Sequence, residues 1–483
     1  MNGVETFRLL TVGMPPLLVQ DLWDRVGAQL DFPLLHLVHP SYDKRSWGGS
    51  ARRTDQYFFR EDIRVPMPPP DRELLASVER EGVPTLHNMI MSDRILSKLR
   101  YEDALSYATF LTRRLIEVYE ETRPSVVIGA FDALHGSLSL AVARYLGIPW
   151  FAMYFAAIPT GNVALCSDLT PASITTLEPG RSRQQETTAD RLLREFEQRT
   201  VQAAAYVPPQ LLSTGLMMRQ IPAQMKALRE VLRRRPLKSC LKYTDHANSY
   251  SISAQFAEAF RLRSNLWQLR RQRLRQQRGA GRYAFFGLHM QPESSIDVFA
   301  HFFANQPRVL ELMARSLPPT HRLLIKLHKS DTLNYSNRYL AALARYPGVE
   351  LVSPWADTYD LIKHADLVFS IQGTIGLEAA MLGKPVIMFG DSPLKGFPSV
   401  ATFGRTVDLP RLVREQLAQL PPERSEIVRA LAAFLAAFYP ASANDWTVRP
   451  SDPQIAGYAR LFQLLARHVR RGVAAHANQE LTQ

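Results

Sequence analysis

The chain has 483 residues, of which 46% are hydrophobic, and it carries a formal net charge of +13. This length exceeds what one ordinary hydrophobic core accommodates, so we expect two domains. Cys166 and Cys240 could form at most one bridge, which excludes a disulfide scaffold and favours a reducing compartment. The N-terminus lacks signal-peptide features and no apolar run reaches 18 residues, so we expect a cytoplasmic protein.

The positive charge is concentrated in one segment. Residues 225–282 contain fifteen Lys or Arg residues and three Asp or Glu residues. A solvated helical face explains this pattern, and so does contact with an anionic glycan or an anionic membrane surface. Nucleic acid is not an expected partner, because the segment has no zinc ligands, helix-turn-helix spacing or RNA-binding aromatic motif.

The chain contains two series in which strand and helix patterns alternate. In the first series, strands are predicted at residues 7–12, 34–38 and 124–130, with helices at 18–30, 105–122 and 137–146. In the second series, strands are predicted at 283–288, 322–327, 349–352, 366–370 and 385–389. Such alternation is typical of parallel sheets. We therefore predict an α/β fold with two Rossmann-like, doubly wound domains that face each other across a cleft, with extra helices.

The predicted domain boundaries follow from these two series. Residues 1–180 form the first domain and residues 283–410 the second. A basic helical excursion and crossover, residues 181–282, connects them, and residues 411–483 form C-terminal helices.

The most informative segment for function is 366–390, DLVFSIQGTIGLEAAMLGKPVIMFG. It predicts a strand, a small polar loop and a helix. Ligands bind beyond the carboxyl ends of parallel strands, and the first turn of a helix attracts phosphate. The residues expected at a bound diphosphate are Ser370, Gln372, Gly373, Thr374 and Gly376. Glu378 would repel phosphate and is expected to accept hydrogen bonds from a ribose. An ordinary βα turn explains the glycines equally well.

Residues 366–390 resemble the nucleotide-sugar segment of glycosyltransferases with the GT-B fold, and most closely those that synthesise capsular and other surface polysaccharides. In that family Gly-Thr-x-Gly-x-Glu-Ala precedes Gly-Lys-Pro-Val, as in residues 373–379 and 383–386 here. Residues 285–293, FFGLHMQPE, resemble the strand and turn that open the second domain. Residues 325–329, IKLHK, resemble a Lys-x-His-Pro motif whose histidine approaches the donor phosphates, although Lys329 replaces the usual proline.

The resemblance implies a transferase that moves a sugar from a nucleotide-sugar donor to a glycan or lipid-linked glycan acceptor of the capsule or lipopolysaccharide type. Lys326 and His328 would contact the donor and, as two cations beside a helix N-terminus, would stabilise the leaving nucleotide. Candidate catalytic residues follow predicted strands. They are Asp132 and His135 in the first domain, and His289 and Glu293 in the second. A helix N-cap explains Asp132 equally well, and a structural hydrogen bond is the commoner role of one histidine after a strand.

We expect neither a metal nor a cofactor besides the donor substrate, because the chain contains no Asp-x-Asp pair. Two other functions fit the same fold: a sugar-nucleotide epimerase, and a non-enzymatic polysaccharide assembly protein. We expect the protein in the cytoplasm, peripheral at the inner membrane if the basic segment binds anionic lipid.

Overall fold

The structure is a computed structural model. It describes residues 6–14, 22–38, 56–57, 67–131, 133–178, 180–202, 264–265, 267, 269, 274–277, 279–329, 331, 335–441 and 451–480.

Eight strands of the described residues form the first sheet. They are β1 Leu9–Met14, β2 Leu34–Val38, β3 Gln56–Tyr57, β4 Val126–Gly129, β5 Trp150–Phe155, β6 Asn162–Cys166, β7 Ile174–Thr175 and, from the C-terminal part of the chain, β14 Tyr439–Pro440. The order β3-β2-β1-β4-β5 is parallel, as expected for a doubly wound sheet. β6, β7 and β14 extend the sheet in antiparallel fashion, which the sequence patterns did not predict.

Four helices of the first unit cover one face of this sheet. They are α2 Arg72–Val78, α3 Leu86–Ser92, α4 Tyr101–Thr122 and α5 Ala133–Tyr145, whereas α1, Asp24–Gly27, lies on the opposite face. Helix α4 buries an apolar stripe that includes Leu111 and Leu115, packed in the same core as Leu138 of α5. The side chain of Asp93 accepts the amide hydrogen of Leu134 at 2.8 Å, so it satisfies the N-terminus of α5.

The second unit contains a six-stranded parallel sheet in the order β10-β9-β8-β11-β12-β13. Its strands are β8 Tyr283–Gly287, β9 Arg322–Lys326, β10 Val349–Val352, β11 Leu367–Ser370, β12 Val386–Met388 and β13 Val400–Thr402. The five strands predicted in this region are all present, each within two residues of the expected ends, and β13 is additional. The fold class is confirmed: two Rossmann-like α/β units.

Helices on both faces of the second sheet make it doubly wound. They are α7 Ser294–Asp297, α8 Gln306–Ser316, α9 Asn337–Ala344, α10 Thr358–Lys363, α11 Thr374–Met381, α12 Leu409–Ala418 and α13 Arg424–Leu435. The preceding α6, Arg181–Glu197, packs in the same core as α13. Arg424 of α13 fixes this pair through Glu197 at 2.7 Å and Asp190 at 3.2 Å.

The C-terminal residues form helices, as predicted, and these helices divide between the two units. α12 and α13 pack in the second unit, whereas α14, Asp452–Glu480, returns to the first sheet. There Trp23 packs against Tyr458 and Phe462, with ring centroids 4.9 and 5.4 Å apart. Thus α14 supplies the apolar cover for the face of the first sheet opposite α4 and α5.

The basic segment lies mostly outside the described residues, which include neither Cys240 nor residues 203–263. Arg275 is described, and its role is structural. Its backbone bridges to Val352 of β10, and its guanidinium forms an ion pair with Glu350. Contact between the basic segment and an anionic membrane surface stays a prediction. None of the described helices is long and apolar enough to cross a membrane.

Replacing Phe462 by alanine should destabilise the first unit. The side chain is fully buried, so we expect a loss of about 3–5 kcal/mol in the free energy of unfolding, measured by denaturant titration. Arg467→Ala, on the exposed side of the same helix, is the matched control and should change stability by less than about 0.5 kcal/mol. Equal stability of Phe462→Ala and wild type would show that α14 does not complete this core.

Candidate functional site

The strand order of the second sheet reverses between β8 and β11, and the candidate site lies at this point. The helix that follows β8 packs on one face of the sheet and the helix that follows β11 packs on the other. Such a reversal leaves a crevice at the carboxyl ends of the two strands, where doubly wound sheets bind ligands. His289 follows β8, Lys326 and His328 lie at the end of neighbouring β9, and Gly373 follows β11.

The loop after β11 has the geometry of an anion-binding turn. Gly373 precedes α11 with a φ of +92°, which a side chain would disfavour, and it is exposed. The hydroxyl of Ser370 donates to the carbonyl of Gln372 at 2.9 Å, and the Gln372 amide donates to the carbonyl of Asp391. Ser370 and Gln372 therefore shape the loop from within, and the first amides of α11 are left at its open end.

Gly376 is glycine because of packing. A Cβ atom at this position would lie 2.7 Å from the sulfur of Met388 and 3.4 Å from Leu394. The missing side chain therefore lets α11 approach the sheet closely. The expected places of Gly373 and Gly376 at a bound diphosphate stay predictions.

Thr374, Glu378 and Lys326 form a polar cluster beside the first turn of α11. Glu378 is 9% exposed and Lys326 is 7% exposed. Burial raises the pKa of Glu378 to about 7, against the opposing effects of a hydrogen bond with the Thr374 side chain and the charge of Lys326. Burial, with the nearby charge of Lys329, lowers the pKa of Lys326 to about 8. The Lys326 ammonium donates to the carbonyl of Pro354 at 3.0 Å.

The protonation of Glu378 decides what Thr374 can do. A hydroxyl has one hydrogen to donate. When Glu378 is ionised, Thr374 donates to it. When Glu378 holds a proton, it can donate to the Thr374 oxygen, and the threonine hydrogen becomes available to a phosphate. The Glu378 carboxyl is already hydrogen-bonded to Thr374. Its expected role, to accept hydrogen bonds from a ribose, stays a prediction.

The two histidines of the site are neutral in the ligand-free protein. Burial lowers the pKa of His289 to about 3, with a contribution from His328. Burial, together with the charges of Lys326 and Lys329, lowers the pKa of His328 to about 4. The role of His328 as a cation beside a leaving nucleotide stays a prediction. A bound dianion would favour the charged form of each histidine.

The loop that carries His289 is held by one glutamine. Gln306 is buried. Its carbonyl oxygen accepts the His289 amide hydrogen at 2.8 Å, and its amide donates to the His289 carbonyl at 3.0 Å. The His289 ring then lies 3.3 Å from where a Cβ atom of Gly373 would be. The histidine and the loop glycine are therefore direct neighbours.

The same loop reaches the first unit. Glu293 precedes α7, and its carboxylate accepts a hydrogen bond from Ser295 at 2.7 Å. Phe299, just after α7, packs edge-to-face against Phe131, which follows β4, with ring centroids 4.7 Å apart. The ring of Phe299 also lies beside that of Tyr154 in β5, with ring centroids 6.4 Å apart. These contacts bring the carboxyl edges of the two sheets together.

The first sheet also reverses its strand order, between β1 and β4. His135 lies at this reversal, where its ring would be 2.6 Å from a Cβ atom on Gly13. His135 is 3% exposed, so in this state it is a buried residue. Asp132, the other candidate base, lies outside the described residues.

Three residues that contribute to the site carry weak sequence signals. Gln306 and Asp93 act through backbone contacts, which a motif search does not detect. Tyr154 could have been noticed, because it lies near the carboxyl end of a strand beside the first reversal point. Within the described part of the chain, no group of three or more His, Cys, Asp or Glu side chains could hold a metal ion.

Comparison with known proteins agrees with the motifs on this loop. Residues 169–397, slightly less than half of the chain, match the family described as capsule polysaccharide biosynthesis protein. The resemblance to capsule polysaccharide proteins is confirmed. No curated protein is significantly similar to the chain in sequence.

Solved structures similar to this chain include two transferases of Thermosulfurimonas dismutans KpsC. The β-Kdo 2,4-transferase is 14% identical with a TM-score of 0.35, covering 64% of this chain and 79% of that one. The β-Kdo 2,7-transferase is 12% identical with a TM-score of 0.32, covering 73% and 89%. The UDP-GlcNAc 2-epimerase of Methanocaldococcus jannaschii is 10% identical with a TM-score of 0.29, covering 87% and 97%.

Anion binding at this site should weaken as the pH rises. The pKa of Lys326 is about 8 without a ligand, and a bound phosphate raises it. Above about pH 8, Lys326 must therefore take up a proton when the phosphate binds. The affinity for UDP or CMP, measured by calorimetry, should therefore fall from about pH 7 to about pH 9.

The variant Lys326→Met tests the origin of this dependence. It should bind more weakly, by roughly tenfold, and lose the decline above about pH 8. Lys363→Met, an exposed lysine before the opposite end of β11, is the control and should retain the wild-type profile. An unchanged profile in Lys326→Met would assign the pH dependence to another group.

Proposed function

We propose that this capsule-type protein is a metal-independent glycosyltransferase that moves a sugar from a nucleotide-sugar donor to a surface-polysaccharide acceptor. The observation that carries the proposal is the position of the loop at Gly373 and Thr374. It lies at the strand-order reversal of the second sheet, at the N-terminus of α11, beside the buried Lys326. This combination suits a nucleotide phosphate because it joins open amides, a helix dipole and a cation.

The chemistry of the leaving group follows from these charges. As the bond between the sugar and the phosphate breaks, negative charge grows on the nucleotide. The N-terminus of α11 and the ammonium of Lys326 stabilise that charge. His328 becomes a second cation only if the nucleotide raises its pKa from about 4, so nucleotide binding and protonation would be coupled.

The acceptor would approach from the first unit, whose strand-order reversal faces the same cleft. The general base that deprotonates the acceptor is proposed among His135, Glu293 and Asp132, with His289 as a further candidate in the second unit. Glu293 is favoured by its position, because its loop contacts both units, whereas His135 is buried in the ligand-free state.

Incubation with a panel of nucleotide sugars and a capsule-type glycan acceptor tests the proposal. We expect free nucleotide together with a sugar-extended glycan from one donor. An isomerised sugar nucleotide would instead identify an epimerase. Nucleotide binding without turnover would favour an assembly protein, and absence of any nucleotide binding would reject the proposed site.

The variant Thr374→Val tests whether the nucleotide phosphate binds at this loop. The substitution keeps the side-chain volume but removes the hydroxyl, so nucleotide affinity should fall by about 1–3 kcal/mol, the usual loss for a hydrogen bond to a charged group. Thr374→Ser keeps the hydroxyl and should bind close to wild type. Wild-type affinity in a folded Thr374→Val protein would show that the phosphate lies elsewhere.

Turnover should persist in EDTA. If protein groups alone compensate the charge of the leaving nucleotide, removal of divalent ions leaves the rate unchanged within about twofold. The measurement is the rate of free-nucleotide release before and after chelation. Loss of activity that Mg²⁺ or Mn²⁺ restores would contradict a metal-independent mechanism.

A further inference from the structure

A pocket lies between the two units at the N-terminus of α11. The second unit lines it with Gln372, Gly373 and Thr374, and the first unit contributes Tyr154 and Ala156. The residues proposed to hold the nucleotide phosphate therefore form one wall, and the end of β5 forms another. A group attached to the nucleotide phosphate would extend into the pocket between these two walls.

The ring of Tyr154 is held in place by its surroundings. Its backbone pairs with Ala164 of β6. The centroid of the ring lies 6.4 Å from that of Phe299 and 6.1 Å from that of Phe438. Aromatic neighbours from both units therefore fix the orientation of the ring. The hydroxyl is thus positioned before any ligand binds, which favours a direct contribution to ligand affinity.

The Tyr154 hydroxyl has unused hydrogen-bonding capacity. Within the described part of the chain it forms no hydrogen bond to another residue. Burial raises the pKa of Tyr154 well above its usual value, with contributions from Cys166 and Glu293, so the hydroxyl stays protonated and can donate. A partly buried hydroxyl without a protein partner gains free energy when a ligand supplies one.

The chemistry of the Tyr154 hydroxyl suggests what kind of group it meets. The charge of Glu293 contributes to the raised pKa of Tyr154, and its carboxylate accepts a hydrogen bond from Ser295 at 2.7 Å. A tyrosine hydroxyl, which can donate, suits the alcohol groups of a sugar, which can accept. Sugars present several such groups.

We propose that Tyr154 binds a hydroxyl of the sugar attached to the nucleotide at Gly373 and Thr374, so that the donor site is completed by the first unit. This inference rests on the proposed function and assigns it a sugar-recognising residue. Thr374 then contributes to the affinity for every nucleotide, whereas Tyr154 contributes only when the sugar is present.

The test compares a free nucleotide with its sugar conjugate in calorimetry, without acceptor. The pair is the one that the turnover panel identifies, such as UDP with UDP-N-acetylglucosamine, GDP with GDP-mannose or CMP with CMP-N-acetylneuraminate. Tyr154→Phe keeps the ring and its packing. It should lower the affinity for the conjugate about fivefold to tenfold and leave the affinity for the free nucleotide unchanged.

Two control variants define the alternatives. Thr374→Val should lower both affinities equally, and Tyr145→Phe, a hydroxyl loss at the end of α5, should change neither. If Tyr154→Phe changes neither affinity, or both equally, Tyr154 does not recognise the sugar, although the proposed function stands. If the wild type binds no nucleotide, the proposed function and this inference fail together.

Discussion

The loops that follow β8 and β11 lead to helices on opposite faces of one sheet, and the crevice between them is the constraint on which the site depends. Two adjacent parallel strands with diverging connections leave their carboxyl ends uncovered. The rest of the second unit supports this opening. Gln306 holds the loop after β8, and Ser370 shapes the loop after β11. Gly376 allows the helix beyond that loop to pack closely on the sheet.

Burial of ionisable groups in this crevice gives the site its electrostatic character. Lys326 and Glu378 are removed from solvent, so each loses part of its preference for the charged form. His289 and His328 are neutral for the same reason. The site is therefore less positive than its composition indicates. An arriving phosphate would favour the charged forms of Lys326, His289 and His328 and the protonated form of Glu378, which couples ligand binding to proton uptake.

The two units depend on each other at the cleft. Phe299 of the second unit packs on Phe131 and Tyr154 of the first, and α14 crosses back to complete the first core. A substrate held between the sheets would contact both. This arrangement is suited to a reaction in which a donor and an acceptor must be brought together while water is kept out.

The sequence by itself determined the two α/β units, nearly all strands of the second sheet, and the loop at residues 371–374. These features depend on local patterns: buried strands are apolar runs, and a tight turn between a strand and a helix requires small residues such as Gly373. Tertiary structure alone decided the return of α14, the packing role of Gly376, the neutrality of His328 and the approach of Tyr154 to Thr374. Each of these depends on contacts between residues far apart in the chain, because desolvation, close packing and strand order arise only when distant segments meet.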